Sequence, residues 1–536
     1  MKRFIKKALC LVVVVCFILL SIVSLQPQMV KSAPPQTTLK LYFWGGSSLF
    51  KNVDRVISEF EKRTKNTLNI KLNLTIIPTS ADYKDKMKMM VAAKEEMDLV
   101  FDAPWMNLNT FATQDVYNDL EKYFNNPKKY PGLYKAFPKD FLEANKFFGK
   151  LIAVPLTESL TDFQVVFYRL DLAKKYGLGE LKNYDDLYKF MSLVQKNEKN
   201  IKTIYLGNAG WARAFKVNPN VEPNPRVQQV MSWVFTGAMA LLSPDYKRVQ
   251  QIAVPGEGES AFSAYPPPYN KLDTYLYYVK MARKFYPLVD KDSIYASRDN
   301  TPFLIGKYAV CEGNLSGFVS TQATLKQNVP GAELGVLICE NKNVLAMKKG
   351  AYWTTMKVSN YVCVPKTSKK VDRVMQFLDW IFQNQENHDL FQFGIKNKDW
   401  IPVGRDQYKI PSVDPNNLYQ FPGYQLTWNP TYVRKPADLP SEIKKWFDYQ
   451  YRFDTYSKSP LAGFTFDQTP VKVEMAKISS IQSTYQLPLC AGLYPDPEAK
   501  VQEFVKRIKA AGFEKVRKEL RKQLQAFLDQ KYGGKK

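Results

Sequence analysis

Hydrophobic and polar positions alternate along residues 38–44, with Leu39, Leu41 and Phe43 on one side and Lys40 and Tyr42 on the other. A period of two is the signature of a strand with one buried face. Gly45-Gly46-Ser47-Ser48 then marks a turn, and Val53, Val56, Ile57 and Phe60 recur at the spacing of one helix face. Leu68, Ile70, Leu72, Leu74 and Ile76 alternate with polar residues as a second strand, which Pro78 ends. A helix over Tyr83–Ala93 and a short strand over Asp98–Asp102 follow. This strand-helix-strand-helix-strand order predicts a mainly parallel sheet covered by helices. Ligands of such sheets sit beyond the carboxyl ends of the strands. That rule points to Trp44–Ser48 and Asp102–Trp105.

Further strands are expected at Lys150–Leu156, Val165–Tyr168, Tyr308–Glu312, Leu334–Cys339 and Tyr361–Val364, with a helix starting at Asp171 and stopped by Gly177. Near the C-terminus, Phe513, Val516, Leu520, Leu524 and Phe527 form a helical stripe with Lys and Arg elsewhere. A basic amphipathic helix can lie on a membrane; docking on its own domain is the expectation adopted here.

The chain of 536 residues exceeds what one core usually serves, which predicts at least two lobes. Residues 1–32 read as a signal peptide. Lys2, Arg3, Lys6 and Lys7 precede an uncharged stretch from Ala8 to Leu25, and Val30-Lys31-Ser32 offers a cleavage site before Ala33. The alternative is an uncleaved anchor. Cys10 and Cys16 lack the small residue that a lipoprotein site places before its cysteine. Cys311, Cys339, Cys363 and Cys490 then remain, without C-x-x-C spacing, and His388 is the sole histidine. A metal site or a His-based catalytic set has almost nothing to build from, and no cofactor is expected. Net charge is +25, or +20 without the five cations of the leader. The basic residues are dispersed, so nucleic acid is not the expected partner; a wall polyanion or an acidic glycan fits better.

The order of motifs resembles the extracellular solute-binding proteins of carbohydrate ABC importers, the family of maltose-binding protein. The landmarks are Leu39-Lys40-Leu41-Tyr42-Phe43-Trp44, Phe60-Glu61-Lys62-Arg63-Thr64, Asp98-Leu99-Val100-Phe101, Gly149–Pro155, Phe167–Leu172, Asn183–Leu187, Gly306–Val310 and Val364–Ser368. Leu426-Thr427-Trp428-Asn429-Pro430-Thr431-Tyr432 and Gly463-Phe464-Thr465-Phe466-Asp467 are similar to a branch of secreted and lipoprotein binding proteins of Gram-positive bacteria. The resemblance implies an α/β, two-lobed periplasmic-binding-protein-like fold with mainly parallel sheets and three crossings between the lobes. Lobe one would hold 33–156 and 334–361. Lobe two would hold 157–333 and 362–536, the latter with the C-terminal helical extension.

It further implies capture of a sugar or oligosaccharide, possibly acidic, for delivery to ABC permease subunits at the cell surface. Aromatic faces suit the C–H faces of a sugar, and carboxylates and amides suit its hydroxyls. Trp44, Asp102, Trp105, Glu158, Glu312 and Asn314 are candidate ligand contacts by position. Trp211, Trp353 and Trp428 are candidates by residue type alone. A glycoside hydrolase would need two opposed carboxylates; Glu257 and Glu259 stand too close together in a Gly-rich loop. A wall-associated glycan adhesin is supported by charge alone.

Overall fold

The computed structural model describes residues 34–46 and 49–533; the expected leader and Ser47-Ser48 lie outside them. The strands, in chain order, are β1 (Thr37–Trp44), β2 (Ile70–Ile77), β3 (Leu99–Asp102), β4 (Val154–Pro155), β5 (Gln164–Arg169), β6 (Lys202–Ile204), β7 (Val227–Trp233), β8 (Thr236–Leu242), β9 (Val249–Ala253), β10 (Tyr308–Asn314), β11 (Leu334–Ile338), β12 (Tyr352–Thr354), β13 (Tyr361–Cys363), β14 (Ile401–Val403), β15 (Gln407–Lys409), β16 (Lys435–Pro436) and β17 (Tyr456–Lys458).

One sheet has the order β2-β1-β3-β13-β4 and a second has β11-β5-β10-β6. In the first, β1 runs parallel to β2 and β3, in register from Thr37 opposite Ile70 to Trp44 opposite Ile77. Leu39, Leu41 and Phe43 of β1 are fully buried, as their alternation requires. Trp44, on the opposite face and at the carboxyl end, is left half-buried where the strand stops. The expected strand at Lys150–Leu156 shortens to Val154–Pro155, paired on an edge with β13.

The second sheet is mixed rather than mainly parallel. β5 is antiparallel to both β10 and β11, and only β10 and β6 run parallel. Alternate residues of β5 serve two cores: Val166 and Tyr168 enter one, Val165 and Phe167 the other. Gly313 and Gly335 leave room for these rings, since a Cβ there would stand 2.3 Å from Phe167 and 2.2 Å from Tyr168.

Two boundaries differ from expectation. The segment 334–361 returns to the first lobe only after about residue 355, because β11 hydrogen-bonds to β5 from Leu334 opposite Arg169 to Ile338 opposite Val165. An apolar run fits either buried sheet, and the sequence alone does not choose between them. Likewise β13 joins β3 in the first sheet, and the helices Val371–Gln383 and Gln385–Phe393 pack there, with Phe377 and Phe391 both on Phe60. The first core therefore extends to Leu426. The chain passes between lobes within 157–162, 353–355 and 429–438, judged by which core each flank joins.

The C-terminal helix Phe513–Tyr532 docks on the second lobe. Phe513, Val516, Leu520, Leu524 and Leu528 are fully buried there, and Arg521 donates to the carbonyls of Val249 and Gln250. Among the described residues, Cys311, Cys339, Cys363 and Cys490 are free and buried. Among the described residues, no helix is long and apolar enough to cross a membrane.

Candidate functional site

A cleft of about 750 Å³ lies between the lobes. Its first wall is aromatic. Trp44 meets Trp105 edge-on at 6.0 Å and Tyr424 at 6.2 Å, and Tyr424 meets Trp428 at 5.9 Å. β1 and the turn after β3 supply the first two rings; the segment 423–428 supplies the others. The Gln425 amide fixes that segment on the end of β1, accepting from Trp44 N at 3.1 Å and donating to Trp44 O at 2.7 Å. Trp105 is 47% exposed, and its indole is aimed by Nε1–H donating to Ser359 O at 2.9 Å.

The second wall comes from β10 and the loop 211–215. The Glu312 carboxylate accepts from the backbone N–H groups of Ala212, Arg213 and Ala214 at 2.9, 2.8 and 2.6 Å, and from Arg298 at 3.1 Å. Its role is to hang this loop on the sheet. Two residues along β10, on the same face, Asn314 accepts from Arg213 Nε at 2.5 Å and donates to Asp162 O at 3.4 Å. Asp162 in turn accepts from Ser316 N and Oγ at 3.1 and 2.5 Å. Glu158, in the first passage, has one polar partner among the described residues, the Tyr451 hydroxyl at 3.4 Å. Burial, then the negative charge of Asp162, push its carboxyl up to about 8.

Of the sequence-derived candidates, Trp44, Trp105, Glu158, Glu312, Asn314 and Trp428 line the cleft. Asp102 does not. It is buried, accepts from Ala103 N, Asn107 N and the Tyr117 hydroxyl at 2.8, 3.0 and 2.6 Å, and so builds the turn that carries Trp105. Burial raises it to about 6, against those hydrogen bonds. Trp211 is fully buried in the second lobe against Phe215 and Phe285 at 4.8 and 5.7 Å. Trp353 lies in β12 and lines other hollows. Glu257 is taken up by Arg517 and Lys509, and Glu259 by Lys271, away from the cleft. Sequence reasoning missed Arg213, Asp162, Tyr424, Gln425 and Tyr451. For Tyr424 and Gln425 the signal was their nearness to Trp428.

The charged groups lining the cleft are Glu158, Asp162, Glu312, Arg213 and Lys357. Three acids face two bases, on a chain of net charge +25. Arg213 Nε donates to Asn314, while Lys357 donates to Lys146 O at 3.0 Å and stands 4.2 Å from the Phe147 ring.

Comparison with known proteins agrees with this architecture. A curated relative, a carbohydrate ABC transporter substrate-binding protein of Streptococcus pneumoniae, is 21% identical over 90% of this chain and 89% of its own. The crystal structure of the N-glycan transport solute binding protein of Streptococcus pneumoniae superposes with a TM-score of 0.68 at 18% identity, over 92% of this chain and 100% of that one. The same protein in complex with Man5GlcNAc gives 0.64 at 20%, over 92% and 99%. An HMO-binding solute-binding protein of Bifidobacterium longum infantis gives 0.57 at 12%, over 94% and 100%. Residues 460–529 match a domain of unknown function. Residues 55–397 match the profile of the bacterial extracellular solute-binding proteins, and the chain belongs to that family.

Proposed function

We propose that this protein is exported, captures an uncharged oligosaccharide in the interlobe cleft and hands it to an ABC importer. The observation that carries the reading is an aromatic wall facing a wall of hydrogen-bonding groups, in a cleft without excess charge. Trp44, Trp105, Tyr424 and Trp428 offer faces for sugar rings, and Glu158, Arg213 and Asn314 offer hydroxyl partners. With Glu158 protonated near neutral pH, two acids balance two bases. A uronate would meet no net positive charge there, which disfavours the acidic glycan that the total charge suggested. The positive charge resides on the outer surface, where it suits anionic wall polymers. The carbohydrate ABC transporter relative supports the reading of both ligand and importer.

Calorimetry against neutral and uronate-bearing oligosaccharides of matched length tests this. A neutral glycan is expected to bind best, with an affinity that salt scarcely changes. Trp105→Ala should weaken it by about 1–3 kcal/mol without lowering the melting temperature of the empty protein. Preferential, salt-sensitive binding of uronates would overturn the reading.

A further inference from the structure

β12 carries an aromatic side chain that the fold does not use. Trp353 is half-buried, yet among the described residues its indole packs on no other ring and its Nε1–H has no protein acceptor. It stands between two hollows of about 300 and 220 Å³, which it and Pro223 line in common. In the larger hollow, Glu340 is 5% exposed, and among the described residues its carboxyl meets the backbone N–H of its neighbour Asn341 and no cation. In the smaller, Glu222 Oε1 accepts from Asn343 N at 3.2 Å, while Oε2 is buried with no partner. Buried polar groups are normally satisfied, so an unpartnered Glu222 oxygen and a deeply buried Glu340 carboxyl without a cationic partner, beside an unstacked indole, call for an explanation. Burial lifts Glu340 to about 8, so near neutral pH it is an uncharged acid that can both donate and accept. That chemistry matches a sugar hydroxyl, and Lys216, which lines the same hollow, offers a further donor.

We propose that Trp353 and Glu340 form a second, smaller saccharide site, which takes one pyranose unit stacked on the indole with a hydroxyl on the Glu340 carboxyl. The inference rests on the saccharide reading of the cleft, but the two pockets are physically distinct. Thr161 lines the cleft and Tyr352 lines the hollow; the bond from Thr161 Oγ1 to the Tyr352 hydroxyl at 3.1 Å closes the wall between them.

The test is fluorine NMR of the full chain labelled with 5-fluorotryptophan, the Trp353 resonance being assigned by its loss in Trp353→Phe. The probes are the methyl glycosides of mannose, glucose, galactose and N-acetylglucosamine. At least one is expected to move the Trp353 resonance saturably, to need about tenfold more sugar in Glu340→Ala, and to act equally in a Trp105→Ala/Trp428→Ala protein. If no glycoside moves Trp353 while the cleft tryptophans respond, the second site is wrong and the cleft reading stands. If Trp353 responds only while the cleft is intact, its signal reports lobe movement and the second site is equally overturned.

Discussion

Glu158 stands where the chain first leaves the lower-numbered lobe, with a hydroxyl partner 3.4 Å away. Its carboxyl is raised from 4.5 to about 8 by burial. A raised acid binds a proton in the folded state at pH values where the unfolded chain has already lost it, so stability falls as pH rises through that window. Glu158→Gln removes the titration. It should leave the melting temperature of the empty protein unchanged below about pH 4.5 and raise it progressively up to about pH 8. A melting curve series across pH checks this, and a pH-independent difference would show that Glu158 ionises normally. At this scale the sequence was partly legible. Trp44 and Trp105 could be placed because they stand at or just past the end of a strand, where a sheet meets its ligand, and Asn314 through the family resemblance. Asp102 satisfied the same rule, yet its short side chain folds back on its own turn. Trp211 and Trp353 had only their residue type to recommend them, and type does not say which side of a sheet a ring faces. Tyr424 and Gln425 reach Trp44 across 381 positions for the latter, a pairing that no local pattern encodes.

Among elements, the loop 211–215 depends most on one distant residue. Three consecutive backbone N–H groups and Arg298 all converge on the Glu312 carboxylate, itself 4% exposed. Glu312→Ala would strand these donors, and loss of one partner from such a buried arrangement costs about 3–5 kcal/mol. Chemical denaturation should show that loss, and sugar affinity should fall with it because Arg213 is no longer held. Glu312→Gln, which keeps an acceptor, should retain more of both; equal losses in the two variants would deny the carboxylate this role. The strand and helix alternation of residues 38–102 was readable because its periodicities are clean, and the C-terminal stripe was readable for the same reason. The partner of β11 was not readable. Leu334-Gly335-Val336-Leu337-Ile338 is apolar on both faces, and its place beside β5 is settled by Tyr168 packing over Gly335, a contact of long range.

For the whole molecule, the three passages define how the lobes can move. The lobe boundaries that the resemblance implied at 333/334 and 361/362 lie within or against the sheets, where ladder hydrogen bonds resist rotation, whereas the one at 156/157 falls at a passage. The remaining positions are 157–162, 353–355 and 429–438, and the first is tied to the residue just before the third by Thr157 N donating to Trp428 O at 3.2 Å. Rotation should concentrate there. The aromatic wall belongs to one lobe and Arg213 and Asn314 to the other, so a sugar that touches both favours the state in which they approach. Its effect is limited by the difference in its affinity for the two states; hinge closure around a ligand is the general mode for two-lobed binding proteins. A saturating neutral oligosaccharide should therefore reduce the radius of gyration in small-angle scattering. Trp105→Ala and Asn314→Ala, one from each wall, should each weaken binding; Asn314→Ala should also leave the lobes more open at saturation, because the first wall still holds the sugar. An unchanged radius with calorimetrically confirmed saturation would mean that the cleft binds without closing, and an importer would then need something other than shape to tell the loaded protein from the empty one.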